Sequence, residues 1–439
     1  METGYILLGI SIALVLGLIS NRLVKKLNLP NVTAYLVIGI LIGPYLFGLF
    51  NENLTGILSE DMVHSLGIIV DVALGFIAFS IGGEFKLSSI KKLGSGVIII
   101  TLFQALAALI FVDASLSVYC LINGTFEENL PLILTLGAVA TATAPAATLM
   151  VIKQYKAKGP VTDTLLPVVA LDDAIGLILF SLSFSIAQVF AKQQAGITGI
   201  SVDLTSIVLF PVLEIVLSLV VGFLIGALLS FAMNFFKSRA NRLICMLAAT
   251  FLGVALCQLF GEWFGMELSS LLTCMMIGAT FCNLREDAFS IVEGIDSWTP
   301  ALFMLFFILS GAELDFTKIT LPVVGICAVY LIFRSLGKYF GARWGCSINN
   351  TDPNVKKYLG LTLLPQAGVA IGMARSAASS FGSIALNAEV TIEGFLGSGY
   401  LNELGSTITA VVLCATLVYE IFGPLITKVA LTQAGEIKE

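Results

Sequence analysis

Two adjacent carboxylates lie where this chain offers them the least water. Asp172 and Asp173 interrupt the stretch 162–190, TDTLLPVVALDDAIGLILFSLSFSIAQVF, which is otherwise apolar almost throughout from 164 to 187. At about 1.5 Å rise per residue, Asp173 is roughly 14 Å in from Thr164. That is about the midplane of a hydrocarbon layer roughly 30 Å thick. A charge at that depth costs at least about 2.5–3.5 kcal/mol on insertion scales. The chemistry such a pair offers is the holding of a proton or a cation. The plainer alternative is two acids satisfied by buried basic partners, with no part in transport. Intramembrane acids so often mark ion pathways that the first reading is preferred.

Basic side chains occur at comparable depth in VVGICAVYLIFRSLGKYFGARWG. Arg334 and Lys338 are four residues apart and share a helix face. Lysines near helix ends snorkel to the interface, but Arg334 is too deep for that and Lys338 is borderline. Either could pair with Asp172 or Asp173. Two further segments break their own helical pattern. LTLGAVATATAPAATLMV carries Pro145 in a run rich in Thr and Ala, with Thr141 and Thr143 just before it. LGLTLLPQAGVAIGMA carries Pro365, Gln366 and Gly368. Proline removes a helical hydrogen bond, and hydroxyl or amide groups can satisfy the freed backbone. Matching interruptions in two halves of a chain signal an inverted repeat with a binding site at the midplane. Ordinary proline kinks are the alternative.

The elements that must position these groups are membrane spans. The 439 residues are 57% hydrophobic and 12% charged, with a mean hydropathy of +0.99. Soluble domains carry about 25% charged residues. Apolar stretches long enough to span recur about thirteen times: 4–21, 31–50, 63–83, 94–121, 129–152, 163–190, 204–235, 242–260, 266–283, 298–314, 320–343, 356–381 and 404–430. The expected fold is an all-α polytopic membrane protein. The first stretch is read as a span, because Met1-Glu2 gives no basic leader and no cleavage site follows. Residues 431–439 are expected to form a short cytoplasmic tail, too short for a regulatory domain. Basic residues fall after odd-numbered spans, and acidic ones, with few basic, after even-numbered spans. This puts the N-terminus outside and the C-terminus in the cytoplasm. The net charge of −6 argues against a nucleic-acid partner. Cysteines without CxxC spacing read as core residues. His64, the only histidine, reads as interfacial, and Asp71 and Glu84 are left without a role.

These blocks resemble the monovalent cation:proton antiporter-2 family, and within it the NapA-like sodium/proton antiporters. The similarity runs along nearly the whole chain: LNLPNVTAYLVIGILIGP from 27, LGFIAFSIGGEF from 74, TATAPAAT from 141, ALDDAIGLI from 170, FFILSGAELD from 306, RSLGKYFGA from 334 and LLPQAGVAIG from 363. The resemblance implies an inverted-repeat fold with two crossed broken helices. It implies a core bundle including 63–190 and 298–430, a scaffold bundle including 1–50 and 204–283, and a homodimer in the plasma membrane. Carried across, Asp173 becomes the main ligand for Na⁺ and Asp172 its neighbour, with Thr141 and Thr143 offering oxygens at the first break. Lys338 matches the lysine that pairs with the first aspartate in electrogenic members. Arg334 matches an arginine that electroneutral relatives use, so the partner of Asp172 stays open.

The activity expected is therefore not enzymatic. It is exchange of H⁺ for Na⁺ (or Li⁺) by alternating access, electrogenic, with no cofactor and with H⁺ and Na⁺ competing at Asp173. Potassium/proton exchange is the runner-up. Kef-like relatives usually carry glutamine where Asp172 stands and a large cytosolic nucleotide-binding domain. A sodium-coupled symporter of an organic solute is a third reading and would need a roomier cavity. An intramembrane aspartyl protease is discounted, because neighbouring residues on a helix point about 100° apart and cannot form a facing dyad.

Overall fold

The computed structural model describes residues 3–27, 31–48, 56–87, 95–144, 148, 151–152, 155–197, 210–264, 268–288, 291, 299–314, 320–391 and 397–437. Its helices, in order, are α1 (Thr3–Leu27), α2 (Asn31–Ile42), α3 (Pro44–Gly48), α4 (Glu60–Ser65), α5 (Gly67–Glu84), α6 (Ser95–Ile122), α7 (Leu130–Val139) and α8 (Pro160–Gln194). There follow α9 (Phe210–Ala232), α10 (Arg239–Phe264), α11 (Ser270–Leu284), α12 (Thr299–Ala312), α13 (Leu321–Ile348), α14 (Pro353–Thr362), α15 (Gly368–Thr391) and α16 (Ser398–Gln433). Each of the thirteen apolar stretches overlaps at least one of them. Among the described residues, eight helices are long and apolar enough to cross a membrane. The protein is a multi-pass membrane protein. Helices α7 and α14 are shorter because their stretches break where the sequence suggested. Residues 140–144 and 363–367 are not helical, Thr148 is helical, and α15 begins at Gly368.

Contacts group the chain into two compact units, 1–63 with 93–200 and 307–439, and 64–92 with 201–306. In the second unit two helices pack closely. A Cβ at Gly82 or Gly278 would run into the carbonyl oxygens of Met275 or Phe79, so α5 and α11 meet backbone to backbone. All eight cysteines are free thiols.

In the first unit, a stripe of small residues does the same for α6 and α13. Gly337, Gly341 and Gly345 recur every fourth residue, the spacing that lets membrane helices approach closely. A Cβ at Gly337 would lie 2.6 Å from Ala108 Cα, and one at Gly345 2.7 Å from Ile100 Cα. The start of α8 is held differently. The Glu436 carboxylate accepts the backbone N–H groups of Val161 (2.6 Å) and Thr162 (2.9 Å) and the Thr162 hydroxyl (2.7 Å). The first N–H groups of a helix have no partners within it, and a carboxylate both bonds them and suits the helix dipole.

Candidate functional site

The two breaks meet. The backbone N–H of Ala144 donates to Pro365 O at 2.8 Å, joining one unwound segment directly to the other. The hydroxyls of Thr143 and Thr148 donate to Leu363 O (3.4 Å) and Thr362 O (3.0 Å). Unwinding leaves carbonyls without helical donors, and inside a membrane these must be satisfied by protein. Arg334 alone satisfies three of them. Fully buried on α13, its guanidinium donates to Ala140 O (3.1 Å), Ala142 O (2.6 Å) and Leu364 O (2.7 Å). Its planar fork of five donors suits this task, which a point-like ammonium could not perform. The ring of Tyr419 lies 4.5 Å beneath it. Gln366 donates to Val139 O at 3.1 Å and to the Tyr330 hydroxyl at 2.8 Å. Pro145 lies outside the described residues.

One turn along α13, Lys338 does something else. Its ammonium sits 3.1 Å from Asp172 Oδ2, and both side chains are fully buried. It also donates to Gln104 Oε1 (2.6 Å), Thr143 Oγ1 (2.8 Å) and the carbonyl of Thr141. Four oxygens thus surround one positive charge. The Gln104 amide closes the group by donating to Asp172 Oδ1 and to Thr101 O (3.0 Å). Of the two basic residues left open by sequence, Lys338 is the one paired with Asp172, while Arg334 bonds to backbone carbonyls.

Asp173 follows on α8, about 100° further round the helix and 9% exposed. Three residues on, Gly176 brings α8 against the first break: a Cβ there would be 3.1 Å from Thr141 Oγ1. The Thr141 hydroxyl itself donates to Ala138 O at 2.7 Å and keeps its lone pairs. The structure therefore brings Asp172, Lys338, Thr141 and Thr143 into one bonded cluster, with Arg334, Pro365 and Gln366 around the crossing. Asp71 lies in the other unit, where the Gln258 amide is 3.5 Å away. The residue missed from sequence is Gln104, a lone amide in the apolar run VIIITLFQALAALIF that resembles a tolerated polar residue until its neighbours are known.

The sequence matches the family model described as the sodium/hydrogen exchanger, transmembrane, over residues 10–429. The chain belongs to the sodium/hydrogen exchanger family. The fold of this exchanger is similar to that of the sodium proton antiporter MjNhaP1 from Methanocaldococcus jannaschii at pH 8, with a TM-score of 0.69 and 16% identity, over 98% of this chain and 100% of that one. A 3D EM map structure of the same antiporter gives 0.68 and 17%, with both chains fully covered. At these identities the likeness concerns the fold. No curated protein matches this exchanger's sequence.

Proposed function

We propose that the protein exchanges Na⁺ (or Li⁺) for H⁺ across the membrane by alternating access, with Asp173 binding either ion in competition. One observation carries the reading: four oxygens, from Asp172, Gln104, Thr141 and Thr143, converge on the Lys338 ammonium beside Asp173. Oxygen ligands are what hard cations take. An entering Na⁺ adds a second positive charge next to the ammonium, which weakens the hold of Asp172 on Lys338. The carboxylate and the Thr141 oxygens then become available to the ion. If Asp173 alone cycles, one proton replaces one Na⁺ and no net charge moves. If the Asp172–Lys338 pair also gives up a proton when it opens, two protons exchange for one Na⁺ and transport is electrogenic. An arginine in that place could not do so, because its pKa stays above about 12. Lysine as the partner therefore favours the electrogenic form, and the ALDDAIGLI and RSLGKYFGA blocks favour NapA-like members of the antiporter-2 family. The basic loops support an outside N-terminus and a cytoplasmic C-terminus, and the plasma membrane as location. A homodimer is part of the same proposal, as is a mobile core bearing the crossed helices.

The test is proteoliposomes with an internal pH dye, challenged in turn with Na⁺, Li⁺ and K⁺. Na⁺ and Li⁺ should drive proton movement without added solute. Asp173→Asn should abolish it in a protein that still purifies as a folded species. Exchange with K⁺ alone would replace sodium with potassium as the cargo, and activity in Asp173→Asn would remove Asp173 as the carrier.

A further inference from the structure

A further carboxyl lies buried near mid-membrane, and the exchange scheme above makes no use of it. Glu420 sits in α16, 1% exposed, within the apolar stretch 404–430. Its hydrogen bond comes from the Thr33 hydroxyl on α2, 3.2 Å from Oε2. Among the described residues no lysine or arginine is paired with it. On both sides its helix touches the crossing: Tyr419 lies under the Arg334 guanidinium, and a Cβ at Gly423 would be 2.8 Å from Pro365 Cγ.

The neighbouring hydroxyl is what makes this more than a stray acid. Thr416 lies one turn before Glu420 on the same face, fully buried, and its Oγ1 has no hydrogen-bond partner among the described residues. Threonines inside helices ordinarily bond back to the carbonyl four residues earlier, as Thr409 does to Gly405 O at 2.9 Å. Residues four apart on a helix have Cβ atoms about 5–6 Å apart. Helical side chains lean toward the N-terminus, so the Glu420 carboxyl leans toward Thr416. An ionised carboxylate held by a single hydroxyl is not stable away from water; it needs either a proton or a positive ion.

We propose that Glu420, Thr33 and Thr416 form a second binding site for a small monovalent cation, separate from the Asp172–Asp173 cluster. The carboxylate supplies the charge, and the two hydroxyls supply further oxygens from α2 and α16. No covalent step is involved. The cation exchanges with the proton that keeps Glu420 neutral when the site is empty.

The experiment counts ions. Purified full-length protein in detergent, in a choline buffer free of other alkali cations, is titrated with ²²Na⁺ by equilibrium binding, with size exclusion to verify folding. Wild type should bind two Na⁺ per chain; Asp173→Asn and Glu420→Gln should each bind one. Thr416→Val, which removes only the hydroxyl, should weaken one of the two sites about fivefold or more, as expected for one lost hydrogen-bond-strength contact. It also keeps the proposal testable if Glu420→Gln does not fold. One Na⁺ per chain in wild type, lost entirely in Asp173→Asn, overturns the second site. So does a count of two that survives Glu420→Gln, or affinities that Thr416→Val leaves unchanged. Failure of the exchange reading would appear instead as absent transport by wild type, whatever the ion count.

Discussion

Lys338 Nζ and Asp172 Oδ2 are 3.1 Å apart with no measurable exposure of either side chain. A buried pair of this kind is weak evidence of stability in itself, but breaking it from one side is severe, about 3–5 kcal/mol. Lys338→Gln should therefore lower the unfolding midpoint and make Na⁺-driven exchange indifferent to membrane potential. The double variant Asp172→Asn/Lys338→Gln should lose less stability than the two single losses summed, since neither charge is left alone. Thermal unfolding in detergent and Na⁺-driven current in proteoliposomes check both halves. A wild type already indifferent to membrane potential would remove the electrogenic scheme.

Gln104 accepts from Lys338 and donates to Asp172, so the direction of its amide matters. Gln104→Glu keeps the shape and the acceptor but replaces the donor with a second negative charge facing Asp172. The expected result is a protein that folds, because Lys338 still compensates part of the charge, with Na⁺ affinity altered by tenfold or more, about 1.4 kcal/mol. Gln104→Leu should instead reduce stability. Unchanged Na⁺ dependence in Gln104→Glu would show that the amide is only filling space.

Arg334 and Lys338 should separate in their phenotypes. Arg334→Lys preserves charge, yet one ammonium cannot reach three carbonyls on two segments, and each carbonyl left bare costs about 1–3 kcal/mol. The variant should unfold at lower temperature, while the folded fraction retains sensitivity to membrane potential. Loss of that sensitivity with stability intact would contradict the role given to the guanidinium.

The cap on α8 can be tested without touching the site. Glu436→Ala removes three hydrogen bonds at the helix start, worth about 0.5–2 kcal/mol for a cap. Amide hydrogen exchange should speed up locally at Val161 and Thr162 and leave the middle of α8 unchanged. Equal protection in both proteins would mean that another group holds that end.

Much of this was legible in the sequence, for identifiable reasons. Spans announce themselves by length and hydropathy, and the two breaks by proline within apolar runs. Two adjacent acids at mid-membrane are too costly to overlook, so Asp172 and Asp173 stood out. The choice between Lys338 and Arg334 did not, because a shared helix face makes them equivalent in one dimension. One helical turn, about 5.4 Å, separates a carboxylate partner from a carbonyl partner. Gln104 and Glu420 were passed over for different reasons. A lone amide in an apolar helix carries no periodic signal, and Glu420 is a single acid in a long last span, without the adjacent pair that marked Asp172. The docking of Glu436 onto α8 joins residues 274 positions apart, a contact no local pattern encodes.

The glycine stripe on α13 has a bearing on how such a site can be retuned. Gln104 and Lys338 stand on two helices whose backbones touch at Gly337, Gly341 and Gly345, so the distance between these two side chains is set by main chain rather than by packing of flexible groups. Substituting a larger residue along that seam would force the helices apart and disperse the oxygens together, instead of enlarging the space for a bigger ion by a fraction of an ångström. A change of preferred cation is therefore to be sought by exchanging the oxygen-bearing side chains one at a time, with the seam left alone.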